Sequence, residues 1–200
     1  NKLIKMYNTN MTTNITTEVN EYKRGNWINM INPTESEIFE VCRNLNIEQE
    51  FIKYSLDYEE KARIDLEEDD GTILFIIDVP IIERENDVEI YTTMPVGVIF
   101  VRDEYVITVS LKENDIIKKM ERIVGKKVIT YKKSQFLFQL FYENSSAFLN
   151  LLKEINKKTV ALVISASKMT GRVLQAAIRE YLRQQQKNKN WPSSLERGML

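Results

Sequence analysis

From Ala62 to Leu111 the chain reads as β-strand almost without a break, and that cluster limits the folds open to it. Ile64 and Leu66 alternate with Arg63, Asp65 and Glu67, a period of two. "EDDG" (68 to 71) has turn chemistry and ends in a glycine that tolerates positive φ. "TILFIIDVP", from Thr72, is a nearly continuous apolar run of the kind a central strand shows, and should pair with the preceding strand as a hairpin. "VEIYTTMP" and "VGVIFV" read as two further strands, and "RDEY" (102 to 105) turns the chain into "YVITVSL". The expectation is a cluster of about five strands.

Helical segments flank this cluster. "NPTESEIFEVCRNL" has Pro33 just outside, Thr34 as N-cap and Glu37 three residues on, a complete capping box. Ile38, Val41, Cys42 and Leu45 then recur at helical spacing and define a face to bury. A shorter helix is expected around Phe51 and Ile52. "NDIIKKMERIVG" reads as a helix capped near Asn114 and stopped by Gly125, and a helical stripe of Phe136, Leu140, Phe148, Leu151, Leu152 and Ile155 runs from Ser134 to Lys157. Before the first helix, Leu3 to Tyr7 suits an edge strand, the Thr/Asn-rich stretch to Asn20 a turn or short strand, and "WINMIN" (27 to 32) a strand. Both βα and ββ connections occur, so the fold class is α/β or α+β with a mixed sheet.

Composition removes several kinds of chemistry. The chain has no histidine, hence neither the commonest general base nor the commonest transition-metal ligand. Its one cysteine, Cys42, cannot form an internal disulfide or a Cys-based zinc site, and its place on the inward helix face suits a small buried hydrophobe in a reducing, cytoplasmic setting. A net charge of -1 gives no reason to expect a nucleic-acid partner. The sequence begins Asn1-Lys2 without an apolar signal core, and its apolar runs fall short of the ~20 residues of a membrane-spanning helix, so a soluble chain is expected. Glycines occur singly, without a phosphate-binding loop, and no enzyme constellation emerges.

"LDYEEKARIDLEEDD" (56 to 70) sets Asp57, Glu59, Glu60, Asp65, Glu67, Glu68, Asp69 and Asp70 against only Lys61 and Arg63. Hard cations such as Mg2+ take carboxylate and water oxygens and need no histidine. Adjacent acids on a strand point to opposite faces, however, and the order of a Ca2+-binding EF-hand loop is absent. By itself the run reads as a solvated face rather than a cation site.

Charge balance shifts near Thr159. Of 29 acidic and 28 basic residues, only two and seven follow Lys158, leaving 27 and 21 before it. The organisation expected is a domain over 1–158 and a basic helical or disordered tail over 159–200, in which Val173, Leu174, Ala177, Ile178 and Tyr181 have helical spacing. Such a helix can pack on its own domain, meet a membrane surface or meet a partner.

Four segments in fixed order add a resemblance. "WINMINPTESEI", "LDYEEKARIDLEEDDGTILFIIDVP" and "YTTMPVGVIFVRDEYVITVS" resemble the amino-terminal cytoplasmic domain of the CorA family of magnesium transporters, which shows a W-[IV]-[ND] strand, a P-[TS]-x-x-E helix start, an acidic segment and a T-x-P-[LV]-x-[IV] strand. The resemblance implies an αβα sandwich with a mixed sheet between helical layers, followed by a carboxy-terminal helical segment. It also implies homopentameric assembly, two membrane spans beyond this chain and a regulatory role in which Mg2+ between neighbouring subunits holds the channel closed. Asp57 and Glu60 are the nearest carboxylates to where some members carry an intersubunit ligand; Lys53 and Tyr54 align closer still and are not acids. Two departures stand out: "RGML" is not the family's Gly-Met-Asn motif, and "TVALVISASKMTG" does not continue its Glu/Lys-rich stalk helix. The expectation is thus a non-enzymatic, Mg2+-sensing domain on the cytoplasmic face of a membrane transporter. Zinc or cobalt transport within the family and a free-standing protein-interaction domain are the alternatives.

Overall fold

The computed structural model describes residues 4–67, 71–102, 104–170 and 178–184, with only the backbone described for 166–170. The chain forms two compact units, Asn1–Leu149 and Asn150–Leu200.

The first unit is built on one seven-stranded sheet: β1 (Ile4–Thr9), β2 (Thr16–Val19), β3 (Asn26–Ile31), β4 (Arg63–Leu66), β5 (Ile73–Glu85), β6 (Val88–Val101) and β7 (Tyr105–Ser110), in the order β2-β1-β3-β7-β6-β5-β4. All neighbours are antiparallel except β3 and β7, which run parallel with Trp27 opposite Val106 and Asn29 opposite Thr108. The sheet is mixed, as the sequence implies. A parallel pair needs a crossover, and here it contains α1 (Glu35–Leu45), α2 (Glu50–Tyr54) and strands β4 to β6.

Strand alternation divides the apolar residues between two cores. On one face Met6, Ile28, Met30, Leu74, Ile76, Ile99 and Ile107 pack against Ile38, Val41 and Leu45 of α1 and Phe51 and Ile52 of α2. On the other, Trp27, Val79, Met94, Val96, Val98 and Val106 meet Ile116, Ile117 and Met120 of α3 (Asp115–Ile123) and Phe136 and Leu140 of α4 (Lys133–Thr170). The result is an αβα sandwich.

Local signals explain the ends of elements. Thr34 and Glu37 form the expected capping box, and Asn46 closes α1 in the left-handed region at φ 52°. Asn114 caps α3 by accepting from the Ile117 amide, at 2.9 Å. Gly97 lies where α2 comes closest to the sheet: a Cβ there would sit 1.8 Å from Ser55 Oγ, so only glycine fits.

Three expectations change, and the exposure of the two faces of β4, which the alternation leaves open, is settled. β1 is internal, because β2 pairs outside it. The segments "VEIYTTMP" and "VGVIFV" are one strand, β6, which runs through Pro95 and pairs with β5 over its full length. Ile64 and Leu66 are the exposed residues of β4, at 68% and 60%, since β4 is the sheet edge and the helical layer stops short of it. α4 extends past Lys157 to Thr170.

The second unit comprises the continuation of α4 from Asn150 and a helical segment over 178–184. Within it Thr159 Oγ1 and Ser165 Oγ donate back to the carbonyls of Ile155 and Ala161, both at 2.9 Å, which keeps these hydroxyls satisfied inside a helix. Glu68, Asp69, Asp70, Val173, Leu174, Ala177 and "RGML" lie outside the described residues.

Two substitutions test this framework. Gly97→Ala should cost about 2 kcal/mol by urea unfolding, as overpacking typically does, and Ser55→Gly in the same chain should recover part of it. Thr108→Val removes the hydroxyl that bridges Trp27 and Asn29 and should cost about 1–3 kcal/mol, followed by Trp27 fluorescence.

Candidate functional site

The acidic segment begins where α2 ends. Ser55 caps α2, and the chain continues in turns in which the amides of Leu56, Asp57 and Glu60 donate to the carbonyls of Lys53, Tyr54 and Asp57. Asp57 is exposed, and its Oδ1 accepts from the Glu59 amide at 2.9 Å, a turn that aspartate favours. Glu60 is three residues further on and half-buried; its Oε1 accepts from the Lys61 amide at 3.0 Å and forms an ion pair with Arg63.

Arg63 organises the surroundings. Its Nε donates to Asp65 Oδ2 at 2.7 Å, and its guanidinium lies 5.0 Å from the centre of the Tyr54 ring, a cation–π contact. The hydrogen bond to Asp65, reinforced by the charges of Asp65 and Glu60, pushes the Arg63 pKa up from its ordinary value. Lys53, one of the two aligned non-acids, pairs with Glu35 at 3.3 Å. Asp57 and Glu60 therefore share one turn, but Glu60 is engaged within the chain while Asp57 keeps an oxygen facing solvent. Among the described residues no three Cys, Asp or Glu side chains converge on a point where a metal could sit.

A groove at the α1–α2 corner is lined by Phe39, Cys42 and Phe51 together with Glu48, Glu50 and Glu67. Burial pushes the Cys42 thiol up to about 11, and its Sγ lies 3.8 Å from the Glu48 carbonyl.

Sequence reasoning passed over Glu121 of α3. It accepts hydrogen bonds from Lys5 (3.2 Å), Tyr7 (3.1 Å) and Asn29 (3.1 Å), and burial together with the Glu121 charge drives the Tyr7 pKa upward. Glu143 of α4, buried, is paired with Lys119 at 2.5 Å and accepts from Gln139 at 2.8 Å. Glu121 is not signalled locally, because its partners are far away in the sequence; Glu143 has a neighbour four residues back in Gln139, but its ion-pair partner Lys119 lies on another helix.

The sequence profile of the family described as CorA-like Mg2+ transporter protein matches residues 22–188. The chain belongs to the CorA family. The match runs past Thr159, where the charge balance changes. No curated protein sequence matches significantly. Among solved structures, the soluble domain of CorA from Methanocaldococcus jannaschii aligns with a TM-score of 0.70 at 16% identity, over 88% of this chain and 68% of that one. The complete CorA magnesium transporter of that organism aligns at 0.64 and 15%, over 89% and 55%. The ZntB cytoplasmic domain from Vibrio parahaemolyticus aligns at 0.60 and 12%, over 76% and 62%. At these identities the likeness concerns the fold: an α+β sandwich with a mixed sheet and a carboxy-terminal helix, common to CorA soluble domains. The chain spans about half of the complete archaeal transporter's length (55%), and among the described residues no helix is long and apolar enough to cross a membrane.

The raised Cys42 pKa has a direct consequence. At pH 8 a thiol-reactive probe should label native Cys42 far more slowly than the urea-unfolded chain, and labelling should rise as the pH approaches about 11.

Proposed function

We propose that this chain is the regulatory domain, on the cytoplasmic face of the membrane, of a CorA-like transporter of divalent cations, with Mg2+ as the ion sensed. The observation that carries the reading is the family match over 22–188, and the αβα sandwich supports it independently. In this reading the whole protein assembles as a homopentamer and its pore is formed by segments outside this chain.

Asp57 and Glu60 are the proposed contribution of each subunit to the sensing site. Mg2+ keeps several waters and takes one or two carboxylates, so an exposed Asp57 with a free oxygen suits it better than a closed cage would. Glu60 becomes available only if Arg63 turns toward Asp65 alone. A cation bridging two such acidic edges would relieve their repulsion, and its loss would free the subunits to move. Soft-metal sensing is disfavoured by the absence of histidine and the burial of Cys42.

Calorimetric titration with MgCl2 tests the assignment. Asp57→Asn and Glu60→Gln should each weaken Mg2+ binding by about tenfold, through loss of a charged ligand, while Arg63→Met should strengthen it by releasing Glu60. Binding unchanged in all three variants would remove these residues from the site.

A further inference from the structure

We propose that two opposite corners of the first unit form a head-to-tail interface between copies of this chain, the ribbon of β5 and β6 in one copy docking on the α3–α4 connection of the next. β4 pairs with β5 only over Ile73–Ile76, and β7 pairs with β6 only over Val96–Val101. Beyond those residues β5 and β6 continue as a two-stranded ribbon to a tight turn at Asn86 and Asp87, both at positive φ. An isolated ribbon of this kind is marginal in water, and this one exposes Ile82 (48%), Val88 (61%) and Ile90 (39%). Glu83, Glu85, Asp87 and Glu89 stand among them against Arg84. Lys112 neutralises Glu83 at 2.8 Å and Arg84 lies 3.5 Å from Glu89, while Glu85 and Asp87 have no ion pair among the described residues.

The matching chemistry sits at the other end of the sheet. The α3–α4 connection is tied to the β1–β2 hairpin and the start of β3: Thr130 and Thr9 bond through both amides and hydroxyls at 2.9 and 3.1 Å, Tyr131 OH donates to Asn14 at 3.1 Å, and Gly125 abuts Thr16. That corner exposes Met11 (59%) and Ile15 (62%), and with them Arg122, Lys126, Lys127 and Lys132, none in an ion pair among the described residues. Val88 and Ile90, which share one face of the ribbon with Glu83 and Glu85 while Ile82 lies on the other, thus form a small apolar patch flanked by acids, and its counterpart is an apolar patch flanked by bases. β6 runs for 14 residues, or roughly 45 Å at the rise of an extended strand, so one molecule cannot close its own ribbon onto its own connection. Successive copies can, and a contact joining two different surfaces closes into a ring when its rotation allows.

The inference rests on the self-association proposed above and not on cation sensing. Sedimentation velocity on the full chain, at low and high salt and with or without MgCl2, tests it. The paired reversals Glu85→Lys with Asp87→Lys, and Lys126→Glu with Lys127→Glu, should each weaken association at least about tenfold, since like charges then face each other. An equimolar mixture of the two variants should associate again, and 0.5 M salt, which screens exposed charges at about 4 Å and beyond, should weaken the wild type. Unchanged melting temperatures confirm that both variants fold. The proposal is overturned if the wild type stays monomeric in every condition, if only the ribbon reversal matters, or if the mixture fails to associate. Association that responds to the reversals but not to MgCl2 supports this interface and counts against cation sensing; a MgCl2 response insensitive to both reversals does the opposite.

Discussion

The buried chain of hydrogen bonds from Trp27 to Glu121 holds the sheet together at its weakest joint. β3 and β7 form the one parallel pair among the described strands, and they are brought together across a crossover of more than seventy residues, whose closure carries an entropic cost. At that joint Trp27 Nε1 donates to Thr108 Oγ1 at 2.9 Å, Thr108 donates to Asn29 at 3.0 Å, and Asn29 donates to Glu121. A slip of one residue would turn Thr108 to the other face and leave both partners buried and unsatisfied. The register of the joint is thereby set, and with it the positions of β1 and β2 on one side and β6, β5 and β4 on the other. Because Glu121 also gathers Lys5 and Tyr7, the same network fixes α3 against the sheet.

From this joint the two helical layers are reached by different means. α2 is drawn onto the sheet by the missing side chain of Gly97, which lets Ser55 approach. At the far end of β6, Arg102 takes a left-handed conformation, φ 49°, from which its guanidinium donates to the carbonyls of Leu45 and Asn46 at the end of α1, while its own carbonyl accepts from Lys133 at the start of α4. One residue of a tight turn therefore binds the ends of helices on opposite faces. A positive charge is well placed at the carbonyl end of α1, where the helix dipole is negative.

Features that depend on neighbours in sequence were legible: the capping box at Thr34, the Asn114 cap, the hairpin of β4 and β5, and the glycine that ends α3. The four ordered segments made the family legible as well, since each is a local signal and their order is specific only in combination. What escaped in the fold depends on partners far along the chain. Proline normally breaks a strand, yet Pro95 is accommodated because β7 pairs with β6 only from Val96 onward, so no donor is demanded there. Ile64 and Leu66 have a buried-strand pattern, but burial needs a covering layer, which the edge lacks. In the candidate site, the engagement of Glu60 by Arg63 arises from a bend in the chain that strand alternation does not describe.

The charges of the first unit thus fall into two populations with different consequences. Glu121 and Glu143 are paired inside the chain, where low exposure shields them from salt and dissolved cations. Asp57, Glu85 and Asp87 face solvent, as do Lys126, Lys127 and Lys132. A change in ionic conditions therefore acts on the second population and leaves the first almost untouched. Since the interior is packed on both faces of a sheet whose register is pinned, it offers little compliance through which a small electrostatic change could be transmitted. A cation sensed by such a unit has its largest effect on what the unit touches, by changing the free energy of contact between rigid bodies rather than the shape of any one of them.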